Sequence, residues 1–157
     1  MFDHRNGSAW TVEDLTARVA QAAARGVEGV TFLGGEPFEQ APELARLATA
    51  AHQLGLTVMV FSGFTLDTIR AREDAGELLG QVDLLVDGPY DRDRPEPEPP
   101  VGRRWIGSAN QVMHYLTDAY NDADPRMRGA NTIEIRLSRD GLAVNGWPTA
   151  ERLRRNK

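Results

Sequence analysis

The chain has 157 residues, 41% of them hydrophobic and 26% charged, which suits one globular domain with a core of its own. A formal net charge of −5 argues against a nucleic-acid binder, because no basic surface dominates. No apolar run approaches the roughly 18 residues of a membrane span and no secretory signal opens the chain, so we expect a cytoplasmic protein without membrane contacts.

The sequence contains no cysteine. This chain can therefore supply neither a disulfide nor a thiolate nucleophile, and it offers no thiolate ligand to a metal or an iron–sulfur cluster. Its three histidines, His4, His52 and His114, are far apart, and none has the spacing to another that a zinc site requires. The residues predict no metal site.

Strand and helix patterns alternate through the first half of the chain. The predicted elements are a helix from Thr11 to Gly26, a strand over 28–33, a helix from Pro42 to Gly55, a strand over 56–61, a short helix capped by Thr65 and a strand over 82–86. This rhythm is typical of βαβ units, which build a parallel sheet with right-handed crossovers. The sequence therefore predicts an α/β fold.

The second half is less regular. We expect the proline-rich residues 91–101 to form an extended, acidic surface loop, and we prefer a tolerated insertion to a recognition segment. Val112, Met113 and Leu116 then predict a helix, and residues 132–137 and 142–145 predict a C-terminal β-hairpin. The basic residues within 152–157 are interpreted as a solvated terminus. No linker is evident, so residues 1–157 are predicted to form a single domain.

Three predicted strands end in glycine or polar residues. Because the carboxyl ends of parallel strands meet at one edge of a sheet, we expect these residues to lie side by side and to form a binding site. Glycines permit a sharp turn and a close approach to a ligand, and carboxylates suit an amine or hydroxyl group. The candidate binding residues are Gly34, Gly35, Glu36, Pro37, Ser62, Gly63 and Asp87.

Each candidate also has a structural interpretation. Glu36 suits the start of a helix, where the helix dipole favours an acid, and Asp87 suits the first position of a turn. The glycines match neither a phosphate loop nor a dinucleotide fingerprint. Ser108 and Asn110 suit helix caps, and His114, like His52, lies in a helical pattern that favours a surface or core position over a catalytic base.

Three segments resemble the signatures of one enzyme family. Residues 31–37, Thr-Phe-Leu-Gly-Gly-Glu-Pro, are similar to the GGEP motif of radical S-adenosylmethionine enzymes. Residues 86–90 and 105–111 resemble later signatures of its glycyl-radical-enzyme activases, particularly the anaerobic ribonucleoside-triphosphate reductase activating proteins. The resemblance runs in order along nearly the whole chain.

This resemblance implies an incomplete (β/α) barrel with a parallel sheet. It also implies two cofactors, S-adenosylmethionine and a [4Fe–4S] cluster that a Cys-x3-Cys-x2-Cys loop holds. Reductive cleavage of S-adenosylmethionine then gives a radical that abstracts hydrogen from a glycine of a partner, such as anaerobic ribonucleotide reductase. By resemblance, Gly34, Gly35 and Glu36 hold the methionine amino group, and Ser62 lies near the cofactor.

The chain departs from the family at its start. In the family, the first strand and the cysteine loop precede a segment like residues 2–7, and this chain begins at that segment. We therefore expect these residues to hold no cluster and to be inactive in radical chemistry by themselves. An internal methionine taken as the start, a truncation, and a cysteine-less pseudoenzyme that binds S-adenosylmethionine or a protein all fit. The strand at Val30 would then be a free sheet edge, which a homo-oligomer or a partner could cover.

Overall fold

A computed structural model describes residues 9–99, 101–129, 134–138 and 141–145. The chain divides into two compact units. The first comprises Met1–Pro95 and Ile106–Asp122, and the second comprises Glu96–Trp105 and Ala123–Lys157. The segment resembling the family at residues 2–7, His4 and the basic tail lie outside the described residues, and the prediction of a single domain stays a prediction.

Helices and strands alternate in the first unit, as predicted. Its elements, in chain order, are α1 (Val12–Ala23), β1 (Gly29–Phe32), a 3-10 helix (Pro37–Gln40), α2 (Ala41–Gln53), β2 (Thr57–Phe61), α3 (Leu66–Arg70), α4 (Gly76–Leu79), β3 (Leu84–Asp87) and β4 (Val112–Tyr115). The second unit contains α5 (Pro125–Arg128), β5 (Glu134–Ser138) and β6 (Gly141–Asn145). No helix in the described part of the chain is long and apolar enough to cross a membrane.

Two helix caps confirm the signals read from the sequence. The Thr11 side chain accepts a hydrogen bond from the backbone N–H of Asp14 at 3.1 Å, at the start of α1. Thr65 accepts from the backbone N–H of Thr68 at 3.3 Å, at the start of α3. Each threonine therefore satisfies one of the N–H groups that a helix leaves without a partner in its first turn.

The first unit contains an open four-stranded sheet in the order β1-β2-β3-β4. β1, β2 and β3 are parallel, with Val30 opposite Val58 and Val60 opposite Leu85. β4 runs antiparallel to β3, so the sheet is mixed rather than purely parallel. The α/β class is thus confirmed, the described strands do not close, and the incomplete barrel stays a prediction.

One face of this sheet carries the hydrophobic core. Side chains alternate between faces along a strand, so Val58 and Val60 of β2 point to the same side, and both are fully buried. The apolar face of α2 packs against them with Ala48 and Ala51, whose small side chains allow close approach. This packing fixes the helices on one side of the sheet and leaves the carboxyl ends of β1, β2 and β3 aligned.

The helix predicted from Val112, Met113 and Leu116 is wrong, because residues 112–115 form β4. The spacing of these apolar residues fits a helix, but the segment pairs with β3, with Val112 opposite Asp87. Pairing between distant segments overrides a local pattern of this length. His114 consequently lies on a strand, and Ser108 and Asn110 cap no helix there.

Residues 91–99 contain no helix or strand, and Pro95 forms an isolated bridge with Ser108 in the first unit. Most of these residues are exposed, but the side chain of Glu96 is not. In the second unit, the Glu96 side chain is 7% exposed and accepts hydrogen bonds from Arg103 Nε and Nη2 at 2.9 and 2.8 Å. These bonds hold the pKa of the Glu96 carboxyl below its usual range.

The C-terminal β-hairpin is confirmed. β5 and β6 pair antiparallel, with Leu137 opposite Leu142 and Ser138 opposite Gly141. The predicted first strand began at residue 132, and residues 130–133 lie outside the described part of the chain, as do Arg139 and Asp140 of the predicted turn. The alternation of apolar and polar residues around a glycine-containing turn was therefore a sufficient signal for this motif.

Candidate functional site

The three predicted strand ends lie on adjacent strands, as expected. Glu36 follows β1, Ser62 follows β2 and Asp87 ends β3, and these strands are consecutive neighbours in the sheet. The backbone N–H of Ser62 also donates to Val86 O at 2.9 Å, which extends the β2–β3 pairing to the edge. We call this edge the rim; it comprises residues 33–37, 62–66 and 87–91.

The Glu36 carboxylate joins the ends of β1 and β2. Its Oε1 accepts from Ser62 Oγ at 2.8 Å and from the Phe38 backbone N–H at 3.2 Å, while its Oε2 accepts from the Gly63 N–H at 2.8 Å. The bond to Phe38 makes Glu36 the N-cap of the 3-10 helix, in which Pro37 occupies the first turn. The helix-start interpretation of Glu36 is therefore confirmed, with two longer-range bonds in addition.

A carboxylate offers about four acceptor positions, of which Glu36 uses three within the described residues. The Glu36 side chain is also only partly buried. One acceptor position on an anionic, fixed carboxylate can therefore receive an N–H from a ligand. A protonated amine suits this position, because bonds between charged groups are shorter and stronger than neutral ones.

Gly34 and Gly35 give the rim an open backbone. Their φ angles are +88° and +59°, a region that side chains other than glycine rarely adopt. A Cβ atom placed on Gly34 would meet no atom within 4 Å, and one on Gly35 would meet only Gln40 Nε2 at 3.9 Å. The glycines are thus required by the turn, and the space beside them is unfilled by described residues.

The loop between β2 and α3 is held from both sides. On one side Glu36 accepts from Ser62 and Gly63, as described above. On the other side Asp87 Oδ2 accepts from the Leu66 N–H at 2.5 Å, and the Gly88 N–H donates to Phe64 O at 3.0 Å. Asp87 thus stabilises the start of α3 rather than initiating an isolated turn.

His114 is a site residue that the sequence did not identify. Its Nε2 lies 3.2 Å from Asp87 Oδ1, and it is buried without a hydrogen bond of good geometry to any described residue. The sequence predicted a helix at His114, which gave no reason to place it near Asp87. In β4, His114 instead lies opposite Leu85, two residues before Asp87. Only recognition of the strand pairing would have found it.

The segment after β3 is fastened to residues 107–111 by side-chain amides. Gln111 Nε2 donates to Gly88 O at 3.1 Å, and Gln111 Oε1 accepts from the backbone N–H groups of Gly107 and Ser108 at 3.0 and 3.1 Å. Asn110 Nδ2 donates to Pro89 O at 2.7 Å, which leaves Asn110 Oδ1 buried and unpaired among the described residues. Residues 107–111 therefore shape the rim beside β3.

Two charged groups extend the rim beyond β3. Asp91 accepts from Arg94 Nε at 2.6 Å, and this bond is the main reason that the pKa of the Asp91 carboxyl is lowered. The Asp91 backbone N–H in turn donates to the buried Ser108 Oγ at 3.0 Å. Asp91 is therefore ionised at neutral pH and fixed in place.

The residues present do not fit an iron–sulfur cluster. Such clusters are held by cysteine thiolates, and the chain has no cysteine. Among the described residues, no group of three or more histidine, aspartate or glutamate side chains could hold a metal ion. The rim combines an open glycine turn with an acceptor position on Glu36 that no described residue uses.

The first unit is an α/β domain with an open, mixed four-stranded sheet and polar residues at the carboxyl ends of its parallel strands. A family model for the 4Fe-4S single cluster domain matches residues 1–114, which is more than half of the chain. The chain belongs to the 4Fe-4S single cluster domain family. No solved structure matches the chain.

The relatives are activating proteins. The anaerobic ribonucleoside-triphosphate reductase-activating proteins of Salmonella typhi and Escherichia coli (strain K12) are each 29% identical over 93 residues, which is 57% of this chain and 56% of each relative. The protein of that name from Enterobacteria phage T4 is 25% identical over 121 residues, 74% of this chain and 72% of the relative. The resemblance to the activase branch is therefore confirmed, while the chain spans little more than half the length of the bacterial relatives.

Proposed function

We propose that the rim binds S-adenosylmethionine and that the chain is the body of an activating protein for a glycyl radical enzyme. The observation that carries this proposal is the fixed Glu36 carboxylate, which follows the open Gly34-Gly35 turn in the chain and keeps an acceptor position that no described residue uses. The methionine end of S-adenosylmethionine carries a protonated amine, which matches this acceptor in charge and in hydrogen bonding. The names of the relatives support an activating function.

The other rim residues have supporting roles in this proposal. Ser62 and Gly63 orient Glu36 by donating to its two oxygens. Pro37 fixes the start of the 3-10 helix that follows. Asp87 holds the loop that carries Ser62 and Gly63, so it acts on the ligand through that loop. The partner we propose is an enzyme of the anaerobic ribonucleotide reductase kind, from the names of the relatives.

Reductive cleavage of S-adenosylmethionine and glycyl radical formation are proposed for a protein that includes a cluster-binding loop. In such a protein the cysteines of that loop would hold the cluster, which would supply the electron for the cleavage. The 157 residues contain no thiolate to hold it. The role of this chain's own residues is therefore to bind and orient the amine end of the ligand at the rim.

Isothermal titration calorimetry of the 157-residue chain with S-adenosylmethionine tests the binding proposal. Glu36→Ala should weaken binding at least tenfold, because a hydrogen bond to a charged group contributes about 1.5–3 kcal/mol. Glu36→Gln keeps the size of the side chain and removes its charge, so it should also weaken binding. Glu39→Ala, an exposed glutamate on the same 3-10 helix, is the matched control. Unchanged affinity in Glu36→Ala would contradict the assignment.

A second function is favoured by one observation, the absence of cysteine. On this alternative the chain is a non-catalytic module that binds S-adenosylmethionine or a protein partner through the same rim. Anaerobic reconstitution of the 157-residue chain with iron and sulfide tests the premise that both functions share, that these residues hold no cluster. We expect no bound iron after desalting. A stoichiometric iron–sulfur cluster on this chain would refute the conclusion that these residues cannot hold one.

A further inference from the structure

We propose that His114 is a positioning residue of the rim, which acts through Asp87 on the loop between β2 and α3. This inference rests on the proposed function for its effect on ligand binding, but the contact itself is independent of that function. His114 Nε2 lies 3.2 Å from Asp87 Oδ1, and Asp87 Oδ2 accepts from the Leu66 N–H. The pair therefore joins β4 to the start of α3 through one carboxylate.

The Asp87 carboxylate and His114 Nε2 are both buried, so the contact between them matters for the stability of the rim. Asp87 is 5% exposed, and the His114 side chain is 25% exposed while its Nε2 is buried. A buried carboxylate is costly unless it is paired and hydrogen-bonded, and a buried ring nitrogen without an aligned acceptor calls for an explanation. At 3.2 Å, Asp87 Oδ1 is within hydrogen-bonding distance of Nε2, and it is the acceptor that we assign to His114.

The contact between His114 and Asp87 is connected to Glu36 through the loop between β2 and α3. Asp87 fixes the N–H of Leu66, and the four residues before Leu66 form the loop whose Ser62 Oγ and Gly63 N–H donate to Glu36. Two carboxylates thus hold this loop between them, one on the β1 side and one on the β3 side. Loss of the His114 donor frees Asp87 to turn away from Leu66, and the loop then presents its donors to Glu36 less accurately.

The role requires a donor rather than a charge. The neutral imidazole with its proton on Nε2 and the charged imidazolium both carry this N–H. A glutamine places its amide nitrogen about as far from the backbone as Nε2 and can donate to the same oxygen. A leucine of similar volume cannot. The two substitutions therefore separate the hydrogen bond from the packing of the side chain.

Two measurements on the 157-residue chain test the proposal. In nitrogen–proton NMR spectra, the Leu66 amide proton should move upfield in His114→Leu, because its acceptor is no longer fixed, and should keep its position in His114→Gln. In calorimetry, His114→Leu should weaken S-adenosylmethionine binding about tenfold, and His114→Gln should restore most of it. His52→Leu, at the other described histidine, is the control and should leave the Leu66 resonance in place.

The proposal would be overturned if His114→Gln and His114→Leu gave the same Leu66 amide shift and the same affinity for S-adenosylmethionine, whether both variants changed or neither did. If the unsubstituted chain binds no S-adenosylmethionine, the proposed function fails, and the Leu66 resonance alone still decides whether His114 positions the loop. If His114→Leu does not fold, His114→Phe supplies a ring without a donor and gives the same comparison.

Discussion

The Ser62 hydroxyl donates to the Glu36 carboxylate at 2.8 Å and so connects the ends of two neighbouring parallel strands. The same hydroxyl accepts from the Phe64 N–H at 3.0 Å, so one buried side chain ties the loop after β2 to the carboxylate after β1. Because Glu36 is held in this way, the ligand binding that we propose would cost little side-chain freedom at this residue.

This relationship predicts an energetic coupling between the two side chains. Glu36→Gln and Ser62→Ala should each lower the free energy of unfolding by about 1 kcal/mol, since each weakens a hydrogen bond that involves a charged group. The double substitution should cost less than the sum, with a coupling of about 0.5–1 kcal/mol, as is usual for residues in contact. Urea unfolding of the four proteins measures this cycle. Strict additivity would show that the bond contributes nothing in solution.

The alignment of the rim residues was predictable because it depends on a general property of parallel sheets. Once β1, β2 and β3 were recognised, Glu36, Ser62 and Asp87 had to meet at one edge. Their hydrogen bonds were not predictable, since the Glu36–Ser62 bond joins residues 26 positions apart. No local pattern specifies which of several nearby donors a carboxylate selects.

The strand β4 shows why the remaining part of the site was missed. Residues 112–116 place apolar side chains at positions compatible with a helix, and the segment is too short for periodicity to decide. Its conformation is set by antiparallel pairing with β3, more than 20 residues earlier in the chain. The contact between His114 and Asp87 exists only in that pairing, so it could not be derived before the strand was known.

A second carboxylate, at the opposite end of the sheet, should be important for stability. Asp83 is 4% exposed, and it accepts from the Val58 N–H at 2.7 Å and from Thr117 Oγ1 at 2.6 Å. Asp83→Ala leaves the Val58 N–H buried without this acceptor, so we expect it to lower the free energy of unfolding by about 3 kcal/mol. Asp118→Ala, at an exposed aspartate nearby, should change it by less than about 0.5 kcal/mol.

Chemical denaturation of both aspartate variants measures this difference. Thr117→Val removes only one donor and should have an intermediate effect of about 1 kcal/mol. Similar losses in Asp83→Ala and Asp118→Ala would mean that Asp83 is not a structural link between β2 and the segment after β4.

In the second unit, the pKa of the Asp124 carboxyl provides a test of its ion pair with Arg126. Arg126 donates side-chain hydrogen bonds to Asp124, and these bonds lower the pKa of the Asp124 carboxyl from 3.8 to about 2. Because the folded-state pKa lies below the unfolded value, the stabilisation is present above about pH 4 and is lost as the pH falls towards 2. Carbon-detected NMR of the Asp124 carboxyl should give a midpoint near 2.

Arg126→Gln removes the guanidinium that causes this shift. The pKa of Asp124 should then rise towards 3.8, although the backbone N–H of residue 126 still donates to Asp124 Oδ1. A midpoint that stays near 2 in Arg126→Gln would assign the shift to the helix cap instead of to the ion pair.

The register of the first two strands depends on the absence of a side chain at Gly29. Gly29 lies opposite Thr57, and a Cβ atom at this position would be 2.3 Å from Thr57 Oγ1 and 2.6 Å from Thr57 O. The second contact is with the backbone, so no change of rotamer relieves it. Gly29→Ala should therefore separate β1 from β2 and lower the free energy of unfolding by about 2 kcal/mol or more.

Gly76→Ala is the matched control, because a Cβ at Gly76, the first residue of α4, meets no atom within 4 Å. It should be neutral or stabilising by up to about 1 kcal/mol, since alanine restricts the unfolded chain. Thermal and urea unfolding of the two variants compare the same chemical change in two surroundings. Equal stability of Gly29→Ala and Gly76→Ala would show that β1 does not pair with β2 in this register.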